Sequence, residues 1–503
     1  MRNLLSRTKL PVVILCITLL FIITGCDNGN EETIADDTPT TELEDTTEVE
    51  DTADVVDVDW DFYNLRAAEF VFAVASGDFD SAIGMFDEAM SEAVDAEALQ
   101  GMWEEVIISL AGEFITIHEI QNAVVEEFYI STVIMRHEHS GFGWNVVFSE
   151  DGLIAGLSTL GTLLLPDAEN IHTTDEAERN QREGFVDYHI IVGEGTMFPL
   201  RGILSIPDDV AEQVPAVVIA HGSGGSDLDG TLPGAGSTPY REIAEFLAAN
   251  GIAVIRYDKR TFAHGRQVAQ EFGGSLTVWE ETIEDILLAT EMLRADPRID
   301  SDRIYIIGHS LGGVLAPRIH AEGGDFAGLI LMTATTRPIL ELFVEQTRAS
   351  IDAAIYLGLA EEADFAGILD ELDELEELLG RLADMSEEEA KTTPVPMHGI
   401  GTMAYYYKNQ MAHPFEKYAQ DVTVPILIMQ GGRDFQILPD VDFVLLQELF
   451  AGQNNVSFRL YDDLNHAFMP TTAENFMEHA ESIMSPGHVY TQVLQDIVDW
   501  ILG

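Results

Sequence analysis

Gly308-His309-Ser310-Leu311-Gly312 is the stretch on which the reading of this chain turns. It follows Arg303-Ile304-Tyr305-Ile306-Ile307, a short run rich in β-branched and aromatic residues, which predicts a buried strand. It precedes Gly313-Val314-Leu315-Ala316-Pro317-Arg318-Ile319, which reads as the first turns of a packed helix. Strand, G-x-S-x-G and helix together make a nucleophile elbow. The glycines have a steric reason: on so sharp a turn, side chains two positions either side of the serine would collide. The turn lifts the Ser310 hydroxyl clear of the sheet and aims the next helix N-terminus at a reacting carbonyl.

A serine hydroxyl is a weak nucleophile until a base takes its proton. The base is an imidazole near its neutral form, and a carboxylate fixes its tautomer. Behind such an elbow the chain order is serine, acid, histidine. Asp434 lies in Gln430-Gly431-Gly432-Arg433-Asp434-Phe435, directly after the apolar run Pro425 to Met429. His466 lies in Leu464-Asn465-His466-Ala467-Phe468, after the run Val456 to Tyr461. Asp440, Asp442, Asp462 and Asp463 are rivals of Asp434 for the acid role. Two backbone N–H groups would complete the site as an oxyanion hole, those of Leu311 and Ser223. Ser223 sits in His221-Gly222-Ser223-Gly224-Gly225, where glycines let the backbone approach a substrate oxygen. His221 and His309 read as packing or orienting groups, Asp258 as a tie within its own loop, and Arg433 as a loop ion-pair partner.

Strand and helix signals alternate around these residues. Val186 to Val192 and Leu200 to Ile206 predict a hairpin. Pro215 to Ala220, Ile252 to Tyr257 and Phe326 to Met332 predict further strands, with helices over Tyr240 to Asn250 and Leu276 to Arg294. This pattern predicts an α/β architecture with a mostly parallel sheet covered on both faces, over residues 184–503. An insertion at about 334–421 carries Phe365, Ile368, Leu369, Leu372, Leu375, Leu378, Leu379 and Leu382 on one helix face and acidic residues on the other. It leaves the sheet at the edge where ligands bind in open α/β folds and predicts a helical lid. Tyr405 and Tyr407 are candidates to line a substrate pocket, or to pack.

Residues 60–160 read as a separate small α+β domain: helical spacing from Phe62 to about Leu110, then strands at Ile115 to Ile120, Glu127 to Met135 and Gly143 to Phe148. Residues 161–183 read as a polar connector. His137 and His139 would share one face of a strand, without a third ligand, and read as surface residues rather than a metal site.

The chain of 503 residues has 88 acidic against 25 basic side chains, a net charge of −63. Such a surface repels phosphates and anionic lipid headgroups, which excludes nucleic acid as a partner. Only five of the basic residues are lysines. The balance fits either an ordinary acidic secreted protein or one facing high salt or alkaline surroundings. The two cysteines, Cys16 and Cys26, lie near the start, so no cysteine-based metal site or disulfide framework is available further on.

The first residues carry Arg2, Arg7 and Lys9, then an apolar stretch from Leu10 to Ile23 that ends in Ile23-Thr24-Gly25-Cys26. Residues 1–26 resemble a bacterial lipoprotein signal, in which the cysteine is lipidated and becomes the first mature residue. The resemblance implies a membrane partner through Cys26 and a place in the cell envelope, on the outer side of the cytoplasmic membrane, or secretion. Residues 27–59, all acidic and polar with a few aliphatics, predict a disordered tether.

The motifs His221 to Gly225, Arg256-Tyr257-Asp258-Lys259-Arg260, Gly308 to Gly313, Gly431 to Asp434 and Asn465-His466 together resemble the α/β-hydrolase superfamily. Within it the chain is similar to bacterial carboxylesterases of the dienelactone-hydrolase and prolyl-oligopeptidase-like branch. The N-terminal part resembles NTF2-like cone folds. The resemblance implies Ser310 as nucleophile, Asp434 as acid, His466 as base, no cofactor, and a small carboxylic ester as substrate. Two alternatives stand beside it: a serine aminopeptidase or acyl-peptide hydrolase on the same triad, and a non-catalytic binding protein that keeps the hydrolase fold.

Overall fold

The structure, a computed structural model, describes residues 58, 60–87, 90–91, 94–108, 111–112, 114–125, 128–137, 141–149, 151–163, 179–208, 212–232, 236–358, 360–396 and 402–503. The signal, almost all of the tether, and most of the connector lie outside the described residues. Among those described, no helix is long and apolar enough to cross a membrane.

The N-terminal part opens with helix α1, Trp60–Ala75. Among the described residues that follow, the helices Phe79–Ile83 and Ala96–Gly101 are each started by an aspartate: Asp78 accepts from the N–H of Ser81, and Asp95 from that of Ala98. Four strands then run as an antiparallel meander, β1 (Phe114–Val125), β2 (Phe128–His137), β3 (Gly141–Phe148) and β4 (Ile154–Leu163). Phe70 and Val74 of α1 bury against Val133, Met135, Trp144, Val146 and Phe148 of the sheet. Two differences from expectation appear. The sheet has a fourth strand, which extends into residues given above to the connector. His137 is buried rather than on the surface, with Nδ1 2.7 Å from the Gly112 carbonyl. It follows Ser131, Val133 and Met135 on the inward face of β2, and alternation carries it inside. His139 lies outside the described residues.

The second part is built on nine strands: β5 (Arg179–Gln181), β6 (Phe185–Val192), β7 (Leu200–Pro207), β8 (Val214–Ala220), β9 (Ala253–Tyr257), β10 (Ile299–His309), β11 (Gly328–Met332), β12 (Ile426–Gly431) and β13 (Val456–Tyr461). Their order in the sheet is β13-β12-β11-β10-β8-β9-β7-β6-β5. From β13 to β9 all neighbours are parallel, and β7, β6 and β5 add an antiparallel edge. The expected hairpin is β6–β7. β5 pairs with β6, so the second end of the predicted connector is also strand. Strands β8, β9, β11 and β12 are buried along their whole length, as their unbroken apolar runs require.

Helices α2 (Pro239–Ala249), α3 (Arg260–Phe272), α4 (Glu284–Ala295) and α5 (Leu311–Ile319) belong to the crossovers. The insertion holds α6 (Ile339–Tyr356), α7 (Ala366–Leu382) and α8 (Ala404–Ala412), and the chain closes with α9 (Phe476–Ile483) and α10 (Thr491–Leu502). Along α7 most of the predicted stripe is inside: Phe365, Leu372, Leu375, Leu378 and Leu382 are buried and Ile368, Leu369 and Leu379 half-buried, while Asp373, Glu374, Glu376 and Glu377 face out. Each buried leucine contributes about 2 kcal/mol, which offsets the crowding of carboxylates on the outer face.

Strand order reverses at β8. The chain runs from β8 to β9 on one side, then returns to place β10 on the other. The crevice at the carboxyl ends of β8 and β10 is therefore the topological switch point, where open α/β sheets bind ligands. Residues 221–225 and Ser310 follow directly from those two strand ends.

Candidate active site

Ser310 joins β10 to α5 with φ 53° and ψ −118°, a left-handed backbone that a non-glycine residue adopts only under constraint. The constraint comes from neighbours. Ser310 N–H donates to the Met332 carbonyl at 2.9 Å, and Ser310 C=O accepts from Val314 N–H at 3.1 Å to start the helix. A Cβ on Gly308 would lie 2.3 Å from the Gly312 carbonyl oxygen, and one on Gly312 would lie 2.2 Å from that of Ala220. The elbow thus needs both glycines for the reason expected from sequence.

Asp434 follows β12 and is buried. Its Oδ2 lies 2.8 Å from His466 Nδ1 and accepts from Gln430 Nε2 at 3.2 Å. Its Oδ1 accepts from the N–H of Gln436 at 2.8 Å and of Ile437 at 3.0 Å. Burial pushes the Asp434 carboxyl up, but the charge and hydrogen bond of His466 outweigh it, and the group stays below its ordinary value. It is an anion that donates nothing, so it fixes the proton of His466 on Nδ1 and leaves Nε2 as the basic nitrogen. Asn465 stiffens the loop: its Oδ1 accepts from the N–H of Ala467 and Met469, each at 3.0 Å. The β12 turn and this loop meet closely enough that a Cβ on Gly431 would lie 2.5 Å from the Leu464 oxygen.

His309 connects the two sides. Its Nε2 donates to the His466 carbonyl at 3.0 Å, so its Nδ1 must be the acceptor, taking the Tyr240 hydroxyl proton at 3.1 Å. The Tyr240 oxygen in turn accepts from Gly222 N–H at 3.2 Å. The rings of His309 and His466 are 4.9 Å apart. Burial, with the charge of His466 second, pulls His309 down to about 4. Burial, with Lys259 second, pulls His221 down to about 3. Both imidazoles are neutral packing groups, as expected.

The turn after β8 runs beside the elbow: a Cβ on Gly222 would lie 3.3 Å from Ser310 Cβ. Ser223 is exposed at the tip of that turn, and Leu311 is buried at the start of α5. The N–H of Leu311 is one of the helix-start donors that intrahelical bonding leaves free. Asp434 and His466 are hydrogen-bonded to each other; Ser310 is brought beside them through His309. The hydroxyl of Ser310 and His466 Nε2 are not hydrogen-bonded in this structure.

The rivals of Asp434 are otherwise engaged where the structure gives them partners. Asp442 holds Arg337 and Thr335, and Asp463 pairs with Arg433 at 3.1 Å. Asp258 accepts from Arg201 and from Leu228 N–H, tying down its loop. Tyr407 packs in the core against Tyr406 and Phe343, its hydroxyl accepting from Thr402 at 3.2 Å. Tyr405 is half-buried beneath Lys391. Cys26 lies outside the described residues. Among the described residues no cluster of His, Cys, Asp and Glu is placed to hold a metal ion.

Sequence reasoning gave no role to Tyr240, Lys259, Glu281 or His479, although Lys259 stood in one of the quoted motifs. Lys259 carried a signal: a lysine, rare in this chain, directly behind a buried strand. His479 had none, since it shares the buried face of α9 with Phe476 and Ala480. It sits behind Asp434 with Nδ1 3.2 Å from the Arg433 carbonyl.

The chain is similar to several known proteins. Esterase EstD of Thermotoga maritima is 28% identical over 444 residues, 88% of this chain and 95% of that protein. Among solved structures, Est1E from Butyrivibrio proteoclasticus matches 62% of this chain and 98% of its own at 14% identity and a TM-score of 0.38. The acylaminoacyl peptidase of Pyrococcus horikoshii matches 73% and 54% at 14% identity and a TM-score of 0.37. Residues 67–157 match a family described as protein of unknown function (DUF3887). Residues 216–471, half of the chain, match the family described as serine aminopeptidase, S33. That stretch contains the elbow, Asp434 and His466, and the chain is a hydrolase of α/β-hydrolase fold that belongs to the serine aminopeptidase S33 family.

Proposed function

We propose that this hydrolase is a serine carboxylesterase that cleaves small carboxylic esters through an acyl-enzyme. One observation carries the reading: the 2.8 Å bond from His466 to a buried anionic Asp434, beside a serine held at positive φ on a helix N-terminus. His466 Nε2 takes the Ser310 proton as the oxygen attacks the ester carbonyl. The N–H groups of Leu311 and Ser223 stabilise the tetrahedral oxyanion, and the returned proton leaves with the alcohol. Water then repeats the sequence on the acyl-Ser310 ester. The likeness to esterase EstD along 88% of the chain supports an ester as substrate.

The description of the matched family favours a second reading, an aminopeptidase on the same residues. A series of p-nitrophenyl esters run beside aminoacyl p-nitroanilides separates the two. The first reading expects ester turnover with a preference for short acyl chains; anilide turnover at comparable kcat/KM contradicts it.

For the N-terminal residues we propose a lipid anchor on Cys26, with the acidic segment behind it as a spacer. Two or more acyl chains would give a stable hold, where one would not. Metabolic labelling with a palmitate analogue, lost in Cys26→Ala, is the expected result; equal labelling of the variant removes the proposal.

A further inference from the structure

We propose that Lys259 is a positioning residue for the oxyanion hole, that it grips the Gly222 carbonyl so that the Ser223 N–H faces the substrate oxygen, and that Glu281 and Tyr406 tie this grip to the helical insertion. The inference rests on the active-site reading given above. The carbonyl of Gly222 and the N–H of Ser223 belong to one peptide plane and point in opposite directions. Holding one therefore aims the other. Lys259 Nζ donates to that carbonyl at 2.8 Å. On the other side of the same glycine, the N–H is held by Tyr240. With both flanking peptides tied, the turn has little freedom to swing Ser223 away.

Lys259 is not a surface lysine that happens to reach inward. It is 1% exposed, Glu281 2% and Tyr406 3%. Nζ lies 2.6 Å from Glu281 Oε1, and the Tyr406 hydroxyl donates to Glu281 Oε2. Glu281 stands before α4, Lys259 behind β9, and Tyr406 on α8 within the insertion. A buried ion pair is a poor source of stability, since well-packed apolar residues of the same volume do as well or better. A role beyond packing explains its presence. The ammonium also polarises the peptide it binds, which makes the Ser223 N–H a stronger donor where negative charge develops.

The test is the double variant Lys259→Met with Glu281→Met, which removes both charges together and leaves no lone buried ion. The readouts are kcat and KM for p-nitrophenyl acetate, Ki for phenylboronic acid, and a thermal melt. The boronate forms a tetrahedral adduct on Ser310, with one oxygen in the hole. A misaligned donor predicts a fall in kcat of about 10- to 100-fold, somewhat less than full loss of a donor. KM should move little, and Ki should rise by the same factor as kcat falls. A folded double variant with wild-type kcat and Ki overturns the proposal. If that variant does not fold, Tyr406→Phe keeps both charges and removes one hydroxyl. It should lower kcat and raise Ki together by a few-fold, and unchanged values overturn the proposal. Ser310→Ala is run alongside. If it retains turnover, the active-site reading falls and takes this inference with it. If it is inactive while the Lys259 and Tyr406 variants behave as wild type, only this inference falls.

Discussion

The two sides of the proposed site, that of Asp434 and that of the Gly222 turn, are held by different means. Asp434 is fixed by neutral donors from residues 430, 436 and 437 together with His466, most of them backbone or amide groups close by in the chain. At the Gly222 turn the carbonyl is held by charges, a lysine backed by a glutamate from a distant segment and a tyrosine from a third, while the N–H is held by the neutral Tyr240 hydroxyl. In the proposed cycle the Asp434 anion persists, because it supports an imidazolium. Backbone donors suit that task, since they cannot titrate. On the Gly222 side the group proposed to be aimed is itself a backbone N–H, and a long side chain, Lys259, reaches in from behind β9 to hold the carbonyl of the same peptide.

The largest effect should come from the acid side. Asp434→Asn is expected to lower kcat by about 10⁴-fold, since the amide no longer fixes the imidazole tautomer. Asp442, equally buried, serves as its contrast. Asp442→Asn should cost roughly 3 kcal/mol of stability through the broken pair with Arg337 while kcat holds. A catalytic loss in Asp442→Asn matching that of Asp434→Asn would erase the distinction between the two aspartates.

Gly312→Ala comes next. The new methyl would meet the Ala220 oxygen at 2.2 Å, backbone that cannot yield. The expected outcome is loss of soluble protein, or a fold opened at the β8–β10 crevice and inactive. A fully active, equally stable variant would show that the elbow tolerates a displacement the present geometry forbids.

His309→Gln probes the bridge between the two sides through pH. Native His309 is held near 4, against 6.5 for a free imidazole. As pH falls from 6.5 towards 4, the unfolded chain takes up a proton that the native protein refuses, and the native state loses stability. Across that window the wild type should lose roughly 3 kcal/mol relative to the variant. Parallel melting curves from pH 7 to pH 4, with a constant gap between the two proteins, would contradict a buried neutral His309. The smallest effect belongs to Arg433→Ala. Its partner Asp463 is 75% exposed, so the pair contributes about 0–1 kcal/mol and kcat should not change.

Legibility in the sequence divides along the same line. Ser310 and Asp434 were readable because each stands just behind a buried apolar strand, in a turn whose backbone demands close-packed glycines; His466 was readable as the histidine a few residues behind the last strand, in a loop without glycine. Lys259, Glu281 and Tyr406 were not, because contact between residues 125 apart obeys no local spacing rule. Tyr406 stands between Tyr405 and Tyr407, which were read as pocket or packing residues, and only the fold shows its hydroxyl on Glu281. Strand β4 was misread for a different reason. Its apolar residues Ile154, Leu157, Leu160 and Leu163 recur every three positions, not every two. The β3–β4 pairing slips register between Gly143 and Trp144 and again between Val147 and Phe148, which breaks the alternation. His137 shows the reverse case: its inward position was written in the alternation of β2, but a histidine pair without a third ligand was read as surface.

Ser310 Oγ is the atom proposed to carry the acyl group. The direct measurement is to quench the reaction with a slowly deacylating nitrophenyl ester and locate the added mass by peptide sequencing. One acyl group per chain, on the peptide spanning Gly308 to Gly312 and on Ser310 within it, is the predicted result. Turnover with the acyl group on another residue, or with no covalent adduct under conditions that trap one in a known serine esterase, would contradict it.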